Sequence, residues 1–136
     1  MAAAGALGCT FLDQLAPRTL VVDGEWAVEL DITDDLRGPA GSLHGGLVAV
    51  IVDVAGASTL AREVDRPVAT ASTSIQYLSA ARIGPLRATG KVLRASDTLG
   101  VVEVQVVDVG KDERLVAVAH VTLKLLAGDS YVRQIS

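Results

Sequence analysis

Alternating apolar and polar positions predict most of the β-structure in this chain. Two short runs within residues 19–32 flank the turn pair Asp23-Gly24, a pattern typical of a hairpin with one face toward solvent. Four later runs, each bounded by turn residues, predict strands over residues 68–78, 86–96, 99–109 and 115–126. Their short connections predict antiparallel neighbours.

One long helix is predicted between the two groups of strands, over residues 45–62. Residues 47–61 are apolar or small on nearly every side, and Asp53 is their single charged residue. A helix without a polar face cannot lie on a surface, so the sheet should curl around it and a second copy of the chain should cover the rest. The predicted fold class is α+β, with an antiparallel sheet of about six strands wrapped around one apolar helix.

The predicted domain covers residues 18–126 of the 136-residue chain, enough for a core of its own. Residues 1–17 are expected to form an N-terminal extension, with a short helix possible over residues 6–15, and residues 127–136 a C-terminal tail. The single cysteine excludes an intramolecular disulfide and a cysteine-based zinc site. No cofactor and no metal are expected.

Composition and charge also limit the partners and the compartment. The net charge is −4 and aromatic residues make up 3% of the chain, which argues against the basic patches and stacking platforms of nucleic-acid binders. The first residues lack the charged start and apolar block of a signal peptide, and the apolar helix is shorter than the ~20 residues that a bilayer requires. We therefore expect a cytoplasmic protein without nucleic-acid or membrane partners.

A glycine turn precedes the predicted helix, with the sequence Gly-Ser-Leu-His-Gly-Gly over residues 41–46. Such glycines allow a sharp turn, and the helix N-terminus leaves backbone N–H groups free with partial positive charge. These groups could stabilise the oxyanion that a carbonyl becomes during nucleophilic attack. The alternative interpretation is a plain tight turn.

Asp53 is the second candidate for chemistry because it stands among apolar neighbours. Burial of an unpaired charge is costly, and ionisable groups in apolar surroundings are enriched at active sites. The alternative is a paired or solvent-facing carboxylate. Eight residues separate Gly45 from Asp53, roughly 12 Å along a helix, which is too far for both to reach one carbonyl. Two antiparallel helices related by a two-fold axis would solve this, so a catalytic homodimer is predicted.

Three features together resemble a known family. The Leu-His-Gly-Gly turn at residues 43–46, the acid nine residues after the histidine, and the Ser-Ile-Gln-Tyr-Leu strand at residues 74–78 are similar to hotdog thioesterases of the phenylacetate-pathway type, related to the acyl-CoA thioesterase 13 group. The resemblance covers residues 36–126. It implies a hotdog fold, hydrolysis of an acyl-CoA-type thioester, and a homodimer that assembles further into a homotetramer.

The same resemblance implies roles for particular residues at the helix start. Gly45 N–H would hold the thioester oxygen with Gly46 beside the substrate, His44 would help to place the thioester, and Asp53 would act as a base toward water or as a nucleophile. The sequence does not choose between the two roles of Asp53. Many members carry Asn or Gln six residues before the histidine, where this chain has Gly38.

The resemblance also implies contacts beyond the helix. Members often have a hydroxyl residue on the strand after the helix that orients water, which corresponds to Thr70 here, with Ser72 as a neighbour. Four cations surround a turn in the region where the resemblance places the CoA phosphates, although such side chains are commonly only solvated: Arg82, Arg87, Lys91 and Arg94. Arg82 and Arg94 are the predicted substrate contacts.

Other functions were weighed against hydrolysis. A hotdog dehydratase or hydratase would use a histidine and an acid as proton carriers, and a non-catalytic acyl-CoA sensor would bind without turnover. Ser42 lacks the Gly-x-Ser-x-Gly context of a serine hydrolase, and the glycines match no nucleotide-binding motif. His120 shares a strand face with polar residues and is predicted to be exposed and structural.

Overall fold

The computed structural model describes residues 9–128, which form two α-helices and six strands. The elements are α1 Thr10–Leu15, β1 Arg18–Val22, β2 Glu25–Leu30, α2 Gly45–Val64, β3 Val68–Tyr77, β4 Leu86–Ala95, β5 Leu99–Asp108 and β6 Arg114–Leu125. The last four strands agree with their predicted bounds to within one residue at each end. Residues 6–8 of the predicted first helix and 129–136 of the predicted tail lie outside the described residues.

All six strands form one antiparallel sheet in the order β1-β2-β4-β5-β6-β3. The prediction that strands joined by short connections are neighbours holds for β1 with β2, β4 with β5 and β5 with β6, but it is wrong for β3 and β4. β3 does not pair with β4, because the two edges of β4 are paired with β2 and β5. The connection over residues 78–85 therefore crosses the sheet, and β3 pairs with β6. This crossing connection lies beside the start of α2.

Helix α2 packs on one face of the sheet, against β2, β3, β4, β5 and β6. Glycines on the strands make this approach possible: a Cβ at Gly90 would overlap Thr59, and one at Gly100 would overlap Leu60. The core is formed by buried aliphatic side chains of the helix and of the inner sheet face, among them Ile51, Val104 and Val121. The predicted wrapping of a sheet around one apolar helix is therefore confirmed.

The first hairpin does not have the solvent-facing side that the sequence predicts. Ala27 and Glu29, on the face of β2 that should be wet, are both buried. The Glu29 carboxylate accepts a hydrogen bond from the Arg87 guanidinium on β4 at 2.7 Å, which compensates its desolvation.

Within residues 9–128 no helix has the length and hydropathy that a membrane span requires.

Strand β3 is an edge of the sheet and is almost entirely exposed. Its ten residues include no charged side chain and no proline. Natural edge strands usually carry such residues, because an uncharged free edge is a template for pairing with another strand. β3 therefore has the character of a strand that pairs outside its own chain.

Candidate active site at the start of helix α2

The glycine turn leads directly into α2, with His44 as its N-cap. His44 Nδ1 accepts a hydrogen bond from Gly46 N–H at 3.0 Å, and the His44 carbonyl accepts one from Leu47 N–H at 2.9 Å. Within residues 9–128 Gly45 N–H has no acceptor. The turn thus presents one free backbone donor at the positive end of a 20-residue helix.

Tyr77, the last residue of β3, makes a contact with this turn that the sequence did not suggest. Its hydroxyl donates a hydrogen bond to the Gly45 carbonyl at 2.8 Å. The partner is a backbone atom, and no residue pattern identifies such a pairing before the strand and the helix are brought together. Tyr77 is the residue of this site that sequence analysis missed.

Asp53 lies two turns further along α2 and is partly buried. The Thr70 hydroxyl on β3 donates a hydrogen bond to Asp53 Oδ1 at 2.7 Å. The structure therefore brings together the acid and the hydroxyl residue that the sequence selected. Their catalytic roles stay predictions.

Ser72 does not join them, because β3 contains a bulge between Thr70 and Ser72. Thr70 pairs with Leu123, whose side chain is in the core, whereas Ser72 pairs with Thr122 on the outer face of the sheet. Directly paired residues point to the same face, so Ser72 points away from Asp53. In a regular strand residues 70 and 72 would point to the same face. The bulge inserts Ala71 as an unpaired residue, so residues 70 and 72 point to opposite faces.

The glycine turn is held in place by the crossing connection. Leu43 N–H donates to the Ala81 carbonyl at 2.8 Å. The Arg37 guanidinium donates to the carbonyls of Gly41 and Arg82, at 2.8 and 2.9 Å. These bonds join the segment before His44 to residues 81 and 82.

The crossing connection in turn depends on a buried carboxylate. Asp108, at the end of β5, is 0% exposed and accepts hydrogen bonds of 2.7–3.0 Å from the N–H groups of residues 82–84. Burial raises the pKa of Asp108, but backbone N–H donors from Ile83, Arg82, Gly84 and Gly110 outweigh it and hold this pKa below its ordinary value. Asp108 is thus ionised and structural.

A cavity of about 360 Å³ opens beside the free Gly45 N–H. Its walls come from the glycine turn, the crossing connection, the end of β3, and single residues of α2 and β6. The lining combines small, aliphatic and aromatic side chains: Ser42, Leu43, Gly45, Val48, Tyr77, Leu78, Ser79, Ala80, Ala81 and Val116. The volume falls within the range of small-molecule sites. Gly45 is one of the lining residues, so a molecule in this cavity lies against the start of α2.

The four predicted cations do not surround one turn, and that expectation is wrong. Arg82 is exposed beside the glycine turn, with its guanidinium 3.8 Å from the position of a Cβ on Gly41. Arg87 is paired with Glu29 on the sheet, and Arg94 stands near the far end of β4, eight residues beyond Leu86. An extended strand rises about 3.3 Å per residue, which separates Arg94 from this site.

Gly38 lies next to His44 in the folded chain. A Cβ there would meet His44 Cα at 3.9 Å and the Ser42 carbonyl at 3.8 Å, which are ordinary contacts.

His120 is exposed on the outer face, as predicted, with Nε2 3.7 Å from Glu103 Oε2. Within residues 9–128 no group of three His, Cys, Asp or Glu side chains is arranged to hold a metal ion.

Comparison with solved structures identifies the fold. A Bacillus halodurans protein solved with CoA superposes with a TM-score of 0.79 at 21% identity, over 88% of this chain and 80% of its own. The Escherichia coli PaaI protein, from the phenylacetic acid degradation operon, superposes with a TM-score of 0.75 at 19% identity, over 90% of this chain and 88% of its own. The hotdog fold predicted from the sequence is confirmed.

Sequence comparison identifies the family. A presumed esterase of Halobacterium salinarum is 38% identical over an alignment of 92 residues, and the alignment covers 62% of this chain and 60% of that protein. The chain thus spans about 60% of the length of the curated relatives that it matches. The model of the thioesterase superfamily matches residues 40–115, more than half of the chain and including the glycine turn, Asp53 and Thr70. This chain belongs to the thioesterase superfamily.

Proposed function

We propose that this protein hydrolyses an acyl-CoA-type thioester, with Gly45 and Asp53 as its central groups. The observation that carries the proposal is the unpartnered Gly45 N–H at the N-terminus of α2, beside a cavity that could hold a thioester carbonyl. Membership of the thioesterase superfamily supports this reaction. A structural relative solved with CoA supports a CoA-type substrate.

The reaction begins with the thioester oxygen at Gly45 N–H. As the carbonyl carbon is attacked, its oxygen becomes an oxyanion, which the N–H and the helix N-terminus stabilise. Asp53 either takes a proton from the attacking water or attacks the carbonyl carbon itself to give an acyl-enzyme anhydride that water then hydrolyses. In both routes the C–S bond breaks, and the products are a carboxylic acid and the CoA thiol.

Thr70 and His44 assist these two groups. Thr70 donates to Asp53 Oδ1, which orients the carboxylate and leaves Oδ2 for water or for the carbonyl carbon. Because His44 Nδ1 accepts a hydrogen bond from Gly46 N–H, the proton of the neutral ring lies on Nε2. His44 therefore serves as a donor that places the thioester, and this favours hydrolysis over a dehydratase mechanism that needs a histidine base.

The active unit that we propose is a homodimer. Gly45 and Asp53 lie on one helix, eight residues and therefore about 12 Å apart, so the second copy must supply one of them. β3 is joined to α2 at two points, by Thr70 to Asp53 and by Tyr77 to Gly45. If the free edges of two β3 strands pair antiparallel about a two-fold axis, Tyr77 and Gly45 of one copy approach Thr70 and Asp53 of the other.

The CoA end of the substrate is proposed to contact Arg82. This side chain is exposed beside the glycine turn and has no ion-pair partner in the described part of the chain. A guanidinium suits a phosphate because it offers planar, paired donors. A contact of Arg94 with substrate, and assembly into a homotetramer, stay predictions.

The test is thiol release from a panel of short, long and aromatic acyl-CoAs. We expect turnover by the wild type and a loss of about 100-fold or more in Asp53→Asn. Gly45→Pro should have a comparable effect, since proline removes the N–H but suits the first helical position, and His44 already has the extended ψ of 130° that precedes proline. Gly45→Ala keeps the N–H and should lose far less activity.

Asp112→Asn serves as the matched control for Asp53→Asn. Asp112 is exposed in a turn with a left-handed φ of 55°, which asparagine also adopts readily. Turnover that survives Asp53→Asn would contradict the mechanism. Tight acyl-CoA binding without turnover across the panel would favour a sensor instead.

A further inference from the structure

We propose that Tyr77 is a positioning residue of this site, which holds the Gly45-Gly46 peptide so that the Gly45 N–H points at the thioester oxygen. The inference rests on the proposed function, because it assigns Tyr77 a part in the same oxyanion site. Tyr77 touches the backbone and acts through Gly45 rather than on the reacting atoms.

The peptide unit between Gly45 and Gly46 is held at both ends. Its carbonyl accepts a hydrogen bond from the Tyr77 hydroxyl at 2.8 Å, and its N–H donates to His44 Nδ1 at 3.0 Å. The two bonds come from opposite sides of the site, one from β3 and one from the residue before the helix. Together they fix the plane of this peptide.

Such a restraint matters here because two glycines follow each other. Glycine reaches backbone conformations that other residues avoid, so a Gly-Gly pair at a helix start leaves its peptide planes free to rotate. The first residues of a helix also lack the intrahelical partners that would fix their N–H groups. An oxyanion donor is effective only when it is oriented before the reaction. The Gly45 N–H belongs to the preceding peptide, between His44 and Gly45, so the Tyr77 hydroxyl restrains it indirectly, by fixing the backbone conformation of Gly45, which joins the two peptides.

The location of Tyr77 argues that its hydroxyl is not required for folding. The side chain is 53% exposed in the single chain, at the end of an edge strand. Its ring also forms part of the cavity wall beside Gly45. Phenylalanine would keep the ring and the wall and would remove only the hydrogen bond to the Gly45 carbonyl.

The experiment compares Tyr77→Phe with the wild type for both constants of thioester hydrolysis and for stability. We expect kcat to fall about three- to tenfold, the effect of one positioning hydrogen bond, with KM and the melting temperature nearly unchanged. The matched control is Ser96→Ala, which removes another hydroxyl that donates to a backbone carbonyl, that of Leu99, in an exposed turn between β4 and β5. It should leave kcat unchanged.

A second readout needs no substrate. Hydrogen exchange of the Gly46 amide, followed by NMR, should accelerate in Tyr77→Phe and not in Ser96→Ala, because the Gly46 N–H belongs to the peptide that Tyr77 holds. Unchanged kcat and unchanged Gly46 exchange in Tyr77→Phe, alongside a large loss in Gly45→Pro, would overturn the inference and leave the proposed function standing. No turnover by the wild type with faster Gly46 exchange in Tyr77→Phe would overturn the proposed function and support the restraint.

Discussion

At the scale of single residues, the hydrogen bond between Thr70 and Asp53 is the contact most open to a direct test. Within the described residues Thr70 is the donor that faces this carboxylate, at 2.7 Å from Oδ1. An oriented carboxylate reacts from a defined oxygen, whereas a freely rotating one spends part of its time misaligned. Thr70 should therefore contribute to the rate through the geometry of Asp53.

Replacement of Thr70 by valine should lower kcat about three- to tenfold, because valine keeps the shape but removes the donor. Thr70→Ser restores a hydroxyl at the same place and should recover most of the rate. Thr73→Val is the matched control, since Thr73 pairs with Val121 on the same face of β3 and makes no described contact with Asp53. Steady-state thiol release measures all three, and equal losses in Thr70→Val and Thr73→Val would contradict the assignment.

Thr70 and Ser72 show that residue spacing alone does not determine which face of a strand a side chain occupies. The resemblance selected Thr70 as the hydroxyl residue of the site, with Ser72 as its neighbour; the structure places Thr70 against Asp53 and Ser72 on the opposite face of β3. The bulge at Ala71 decides this, because it reverses the faces of the residues that precede and follow it. No local pattern in an uncharged strand of small polar residues reveals such a bulge.

At the scale of elements, the crossing connection over residues 78–85 is the support of the glycine turn. Its carbonyls accept hydrogen bonds from Leu43 N–H and from the Arg37 guanidinium, and its own N–H groups are bound by Asp108. Asp108 is fully buried and ionised, so its charge stabilises the fold only while the N–H donors surround it.

This arrangement predicts an acid-sensitive contribution to stability. The pKa of Asp108 is lower in the folded protein than in the unfolded chain, so its contribution is complete above the unfolded pKa and is lost as pH falls through the folded pKa. Asp108→Asn should cost about 2 kcal/mol or more at neutral pH. The difference between wild type and variant should shrink as the solution is acidified.

Urea unfolding at a series of pH values from neutral to strongly acidic measures this difference. Asp112→Asn, which also removes one carboxylate but from an exposed turn, controls for the general loss of a negative charge. A stability difference for Asp108→Asn that stays constant as pH falls would show that its carboxylate does not act through ionisation.

At the scale of the whole molecule, the site that we propose requires two copies of the chain. α2 places Gly45 and Asp53 about 12 Å apart, and the exposed, uncharged edge of β3 is available for pairing. A shared site of this kind can be tested by mixing two inactive variants, because a mixed dimer then contains one site with both wild-type groups.

Gly45→Pro and Asp53→Asn should each be inactive alone and should recover activity when mixed under conditions that allow subunit exchange. With random exchange half of the dimers are mixed and half of their sites are intact, so we expect about a quarter of the wild-type rate. If one chain supplied both groups, every site in the mixture would lack one of them and no activity would return. Mixing either variant with Asp112→Asn controls for the effect of exchange itself.

The order and type of the elements followed from the sequence alone, since hydrophobic period and turn residues are local properties that each segment carries with it. The same holds for the glycine turn and for Asp53, because a Gly-Gly pair before an apolar helix and a lone acid within it are unusual wherever the chain folds. The tertiary structure decided which strands are neighbours, which face Ser72 occupies, where the four cations lie, and that Tyr77 holds Gly45. These depend on register, on a bulge and on bonds to backbone atoms, which exist only once distant segments are packed together.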